Sequence, residues 1–225
     1  MPSWKRTTLY VGWIAVLAGV TVAFAPVERT MGEGIRAVYA HVALTVAGVV
    51  GFAVEAVLGV FAFVTGSPAA ARWLRAVAGV ALGLFALGTL VSAVAAWVNW
   101  GGMFLDEPLL RSSVLVLASG FLLYAVMSWT EHVRLHGALG VVPLVAIASA
   151  LVGARNALHP GANVIPESVG SIQVTFVALT VLCVAAGARL AWQLGARPPP
   201  GRTRAARRRS VRSGAGTGAR THRPA

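Results

Sequence analysis

Residues 37–65 read AVYAHVALTVAGVVGFAVEAVLGVFAFVT. His41 and Glu55 are the only acidic or basic side chains in these 29 positions. A helix needs about 20 mostly apolar residues to cross the hydrocarbon core of a bilayer, and this run exceeds that length. Five further runs have the same character: Leu9 to Ala25, Ala76 to Val98, Ser113 to Trp129, Ala138 to Ala154 and Ser171 to Leu194. Lipid cannot satisfy an exposed backbone amide, so a spanning segment closes its hydrogen bonds internally. The alternation of a barrel strand is absent. The sequence therefore predicts an all-α membrane protein, a six-transmembrane-helix bundle with a short aromatic outer loop between helices 3 and 4. Glycine, alanine and serine inside the runs let helix backbones approach closely.

The composition agrees. Of 225 residues, 57% are hydrophobic and 12% charged, with a mean hydropathy of +0.74. Soluble domains carry about twice that charged fraction. The net charge of +12 is not a nucleic-acid signature, because nine of the nineteen Lys and Arg residues lie in the last thirty positions. There Pro198-Pro199-Pro200 opens an Arg-, Gly- and Ser-rich tail that cannot build a core. The expected division is a membrane domain over 1–195 and a disordered cytoplasmic tail over 196–225, with anionic lipid as the tail's partner and no nucleic acid.

Lys5 and Arg6 followed by an apolar stretch and Ala23-Phe24-Ala25 resemble a signal peptide. Pro26 argues against cleavage, so the segment reads as a retained first helix. Arg72, Arg75 and Arg134 fall in loops on the side of the N-terminus, and Arg29, Arg36, Arg111 and Arg155 on the other. That count is nearly neutral, and the basic tail decides it. The chain is expected to be multi-pass in the cell membrane, with both termini cytoplasmic. Cys183, the one cysteine, lies in an apolar run, which leaves no CxxC pair and no CxxCH haem-attachment site.

With six crossings, His41 and His159 belong near the outer face, His41 about one turn inside the second helix and His159 just past the fifth. Taken singly, each reads as an interfacial histidine bonded to backbone or water. At a shared level, two imidazoles from different helices can supply both axial positions of a haem iron. Trp97 to Pro108, WVNWGGMFLDEP, reads as an interfacial anchor or as an apolar ledge on which a flat macrocycle would stack. Glu55 is the one acid well inside a run; helix 2 is longer than a bilayer requires, which leaves room for it to tilt to the inner interface, and it is given no site role.

These residues carry a resemblance. Arg36-Ala37-Val38-Tyr39-Ala40-His41-Val42 resembles the R-x-x-Y-x-H-V segment of the haem-handling proteins of cytochrome c maturation (the CcmC/CcsA type). Asn156-Ala157-Leu158-His159-Pro160-Gly161 resembles that family's N-x-L-H-x-G segment. Between them, Trp100 to Glu107 aligns without gaps to its W-G-x-W-W-x-W-D signature. Met103, Phe104 and Asp106 stand where the signature has tryptophan, and Glu107 at its aspartate; a slip of one position makes Asp106 the signature acid instead, and both registers stand. The resemblance covers roughly 36–194.

It implies that His41 and His159 are axial ligands of a transiently bound haem b. It also implies that Trp100, Gly101, Gly102, Met103 and Phe104 form the platform under the porphyrin. Arg36, Arg111 and Arg155 lie at the same level and can pair with haem propionates or serve as water-facing charges at helix ends. The implied role is non-enzymatic: membrane domain 1–195 holds haem on the extracytoplasmic side for a haem chaperone or apocytochrome c, beside other cytochrome c maturation membrane subunits. A small-solute transporter or channel subunit is the alternative, resting on Glu55 and Pro143. A redox cytochrome ranks lower, because no inner histidine pair lies within the helices. No nucleophile motif, phosphate loop or metal-type His/Glu cluster on one helix points to an enzyme.

Overall fold

Helix caps, more than apolar content, set where the spans begin. The computed structural model describes residues 3–153 and 169–196. Helix α1 (Trp4–Ala23) starts five residues before the apolar run, because the Ser3 side chain accepts from the Arg6 amide at 3.3 Å. Helices α2 (Ile35–Thr65) and α3 (Pro68–Trp100) are joined by two residues. Gly66, at φ 64°, ends α2 in the left-handed conformation that glycine adopts without strain, and Ser67 caps α3, whose first position is Pro68. Helix α4 is Pro108–Trp129. The fifth span is two pieces, α5 (Val133–Leu139) and α6 (Val142–Gly153), and α7 is Gly170–Gly195.

Six segments are long and apolar enough to cross a membrane among the described residues, with α5 and α6 together forming one of them. The protein is an all-α, multi-pass membrane protein. The tail expected over 196–225 lies outside the described residues, Ala196 apart.

Helices α2 and α3 are the central antiparallel pair. Where α2 begins, its Ile35, Tyr39 and Ala43 pack on Ile172, Phe176 and Leu179 of α7. At mid-height Phe52 meets Ala81, Leu82 and Phe85 of α3 with Val116 of α4 and Ile147 of α6. Leu74, Ala78 and Met127 close the opposite end. Helix α1 lies mainly on α7 and leaves Trp13 and Val16 exposed, as a lipid-facing surface should.

The fully buried Thr7 hydroxyl donates to Gln193 Oε1 at 2.9 Å, tying the first turns of α1 to the last turn of α7. The two ends of the membrane domain therefore share one face, as an even number of crossings requires. Arg72 Nε donates to the Gly195 carbonyl at 2.9 Å, and Arg75 Nη1 to the Met127 carbonyl at 3.3 Å. These arginines stand on α3 itself and reach helix C-termini, where unpaired carbonyls favour cations.

Candidate functional site

The end of the bundle at which α2 begins is built by three short-range devices. Glu28 folds back so that its carboxylate accepts from the Thr30 hydroxyl and from the amides of Thr30 and Met31, at 2.8 and 3.0 Å for the amides. The Thr30 hydroxyl bond is the largest of the effects that hold the Glu28 carboxyl below its ordinary range. The turn's stabilisation from this group is present above the usual carboxylate range and fades as pH falls through the lowered value. Tyr39 then donates its hydroxyl to the Pro26 carbonyl at 3.0 Å, pinning the chain ahead of that turn against α2. Third, Asn99 Nδ2 donates to the Gly34 carbonyl at 3.1 Å and to Ala95 at 2.8 Å. The last turn of α3 is thereby level with the start of α2.

On this frame His41 sits six residues beyond Ile35, about 9 Å along the axis at 1.5 Å per residue. The helix begins earlier than the apolar run suggests, so His41 is nearly two turns inside rather than one. Its Nδ1 lies 2.9 Å from the Gly88 carbonyl of α3 and 3.3 Å from Thr45 Oγ1. A carbonyl only accepts, so Nδ1 carries the proton, and the neutral ring has its lone pair on Nε2. The backbone bond expected of an ordinary interfacial histidine is thus present, but it uses the nitrogen that a metal-ligating histidine commits to its supporting partner.

The bond depends on a close helix approach. A Cβ on Gly88 would lie 2.5 Å from Thr45 Oγ1 and 2.8 Å from the Thr45 amide nitrogen, so only glycine lets the α3 carbonyl come this near. Gly88→Ala is expected to cost about 1–3 kcal/mol by forcing α2 and α3 apart. The check is a lower melting temperature in detergent, with Gly83→Ala, which meets nothing within 4 Å, near wild type.

The aromatic loop stands above His41. Trp100 is the last residue of α3, and Gly101 ends the helix at φ 73°. Gly102 follows in the loop, and Met103 and Phe104 are each 47% exposed, with Leu105 more so. The apolar side chains of this loop form a shelf at the rim, about 9 Å above the level of His41 by the rise of α2.

The two acids of the loop differ sharply. Glu107 is 6% exposed and its Oε2 accepts from the Leu110 amide at 2.6 Å as the N-cap of α4, whereas Asp106 is exposed. Glu107→Ala should therefore cost about 1 kcal/mol, while Asp106→Ala stays near zero; paired thermal melts would separate them.

Arg36 forms an ion pair with Glu33, one turn away, and Arg111 is exposed on the first turn of α4. His159 and Arg155 lie outside the described residues. The structure thus places one of the two expected ligands and the whole expected platform at the end of the α2–α3 pair where α2 begins. Sequence reasoning passed over Thr45, Gly88 and Asn99. Their signal is tertiary: Gly88 is 47 positions from His41, and nothing local marks it as the imidazole's acceptor.

Glu55 is the correction. It does not tilt to the inner interface: it is 2% exposed, inside the protein, with Oε2 unpartnered. The excess length of α2 has no bearing on it, because the side chain points across the bundle.

No protein-family model matches the chain, and no curated protein matches it in sequence.

Proposed function

We propose that this protein holds haem at the outer face of the membrane through His41 and His159 and passes it to a haem chaperone or apocytochrome c during cytochrome c biogenesis. The observation that carries the reading is the 2.9 Å bond from His41 Nδ1 to the Gly88 carbonyl, which sets the tautomer with the lone pair on Nε2, the nitrogen that a haem iron would use. The resemblance of 36–42, 100–107 and 156–161 to the haem-handling family supports it independently.

The described residues fit the group. One imidazole is oriented by a buried backbone acceptor, and a shelf of exposed apolar side chains lies above it. Met103 and Phe104 offer less stacking area than the tryptophans of the family signature, and that suits a carrier that releases its cargo. Haem supplies the iron that the imidazoles ligate; the chain supplies their orientation, an apolar rim and two rigid helices. Glu107 contributes by fixing the start of α4, and so the far end of the shelf. The haem site would then face the extracytoplasmic side, with both termini in the cytoplasm.

The test is direct: protein purified from haem-replete cells should show a Soret band, lost to excess apo-acceptor. Purified wild-type protein without a Soret band, and unable to acquire one from added haem, would end the reading.

The second reading, a small-solute transporter or channel subunit, draws on two observations: the buried, unpartnered Glu55 and the broken fifth span. Transport lost in Glu55→Gln with haem content unchanged would favour it.

A further inference from the structure

A buried carboxyl and a buried imidazole, each with an unpartnered polar atom, lie on either side of the closest approach of α2 and α5. Gly59 makes that approach: a Cβ there would lie 2.8 Å from the Gly137 carbonyl, and a Cβ on Gly137 would lie 2.6 Å from the Gly59 carbonyl and the Phe63 amide nitrogen. Glu55 is one turn up α2 from Gly59, and His136 immediately precedes Gly137.

Glu55 borders a cavity of about 10 Å³ walled by Phe52, Leu82, Gly120, Tyr124, Met127 and Pro143. That volume holds a single water at most. Tyr124 is the other ionisable side chain on its wall, and α3 and α6 present only apolar groups to it. His136 is 1% exposed; its Nε2 lies 3.0 Å from both the Thr130 carbonyl and Oγ1. The carbonyl requires a proton on Nε2, so the neutral ring keeps its lone pair on Nδ1, which has no partner. Arg75 and His132 are the charged or titratable groups that face His136.

The backbone at this height is interrupted. Pro143 has no amide hydrogen to donate to the Leu139 carbonyl, and α5 stops at Leu139 before α6 resumes at Val142. Non-helical backbone at membrane depth survives only when buried in protein or lining a water-containing space, and intramembrane carboxylates are rare and costly unless they serve ion or proton movement.

We infer that Glu55 is a reversible proton-binding site, filled and emptied at the break between α5 and α6. The step is a proton transfer alone. A proton from water at the break bonds to Glu55 Oε2 and is returned to water along the same route, with no redox change. A cavity of this size excludes a hydrated cation, and no second carboxylate lines it, so the ligand is a proton. The inference stands independently of the haem reading, since it uses the opposite half of α2.

Infrared spectroscopy of the full chain in lipid vesicles tests it. A protonated-carboxyl carbonyl band is expected that shifts in D2O, titrates reversibly, disappears in Glu55→Gln and persists in Asp106→Asn. Should Glu55→Gln not fold, Glu55→Asp must shift the band's frequency. A band unchanged in Glu55→Gln overturns the proposal, and so does one that neither titrates nor exchanges, which describes a permanently protonated structural acid. A band that appears only when Na⁺ is withdrawn overturns it in favour of a cation. Soret absorbance recorded on the same samples keeps its failure distinct from that of haem binding.

Discussion

Replacing His41 with alanine should abolish the Soret absorbance of the purified protein while leaving a folded helical bundle. The fold survives because the lost bond to Gly88 is a single net contribution of about 0.5–1.5 kcal/mol, small against the packing of Tyr39, Ala43 and Phe52 on the same helix. Haem retention should not survive if His41 is the proposed axial ligand, because the substitution then removes the iron–nitrogen bond itself. His159→Ala should act in the same way.

Three companions separate ligation from general damage. His41→Gly with added imidazole should recover the band, as a small ligand replaces the missing ring. Thr45→Val, which removes only the weaker 3.3 Å contact to Nδ1, should weaken haem binding by about tenfold, the lower end of what supporting partners contribute at metal sites. Tyr124→Phe, on the cavity beside Glu55, should change nothing. A full-strength Soret band in both His41→Ala and His159→Ala would sink the proposed function.

How far this could be read in advance depends on which link of the chain a feature lives on. The second span was legible because residues 37–65 contain almost nothing that water would hold. Helix α3 begins at Pro68, eight residues before its apolar run at Ala76, because hydropathy registers the lipid-facing stretch and not the helix. Arg72 and Arg75 interrupt the first without interrupting the second, since each reaches a backbone carbonyl at another helix end.

The azimuth of Glu55 was not legible: an amphipathic signal needs a polar face, and a helix apolar all round hides which side meets protein. The break in the fifth span was announced by Pro143, yet only the structure shows that it lies beside a carboxyl. At the outer site, the level of His41 followed from counting residues. Its tautomer did not, because that is set by a carbonyl on another helix, brought near by a missing side chain at Gly88.

Tyr39→Ala should be the most damaging single truncation at this end of the bundle, at about 3 kcal/mol, the low end for losing a buried aromatic ring. The ring is 0% exposed and tilted against Phe176 at a centroid distance of 4.6 Å. Lipid is a poor competitor for this site, but it also removes the water-driven share of burial, so the cost falls on lost contacts and the cavity left behind. Tyr39→Phe keeps the ring and loses only the bond to Pro26, about 1 kcal/mol. The two variants therefore divide the residue's work between packing and pinning.

The consequence reaches the proposed site. Tyr39 is two positions from His41 and is also the contact that seats the outer end of α7, the helix that follows the His159 segment. If haem needs both segments in register, Tyr39→Ala must lose haem along with stability, while Tyr39→Phe retains most of both. Melting temperature and Soret absorbance measured on the same preparations decide it, and a Tyr39→Ala protein that melts early yet keeps its haem would show that α7 does not help to position the second ligand.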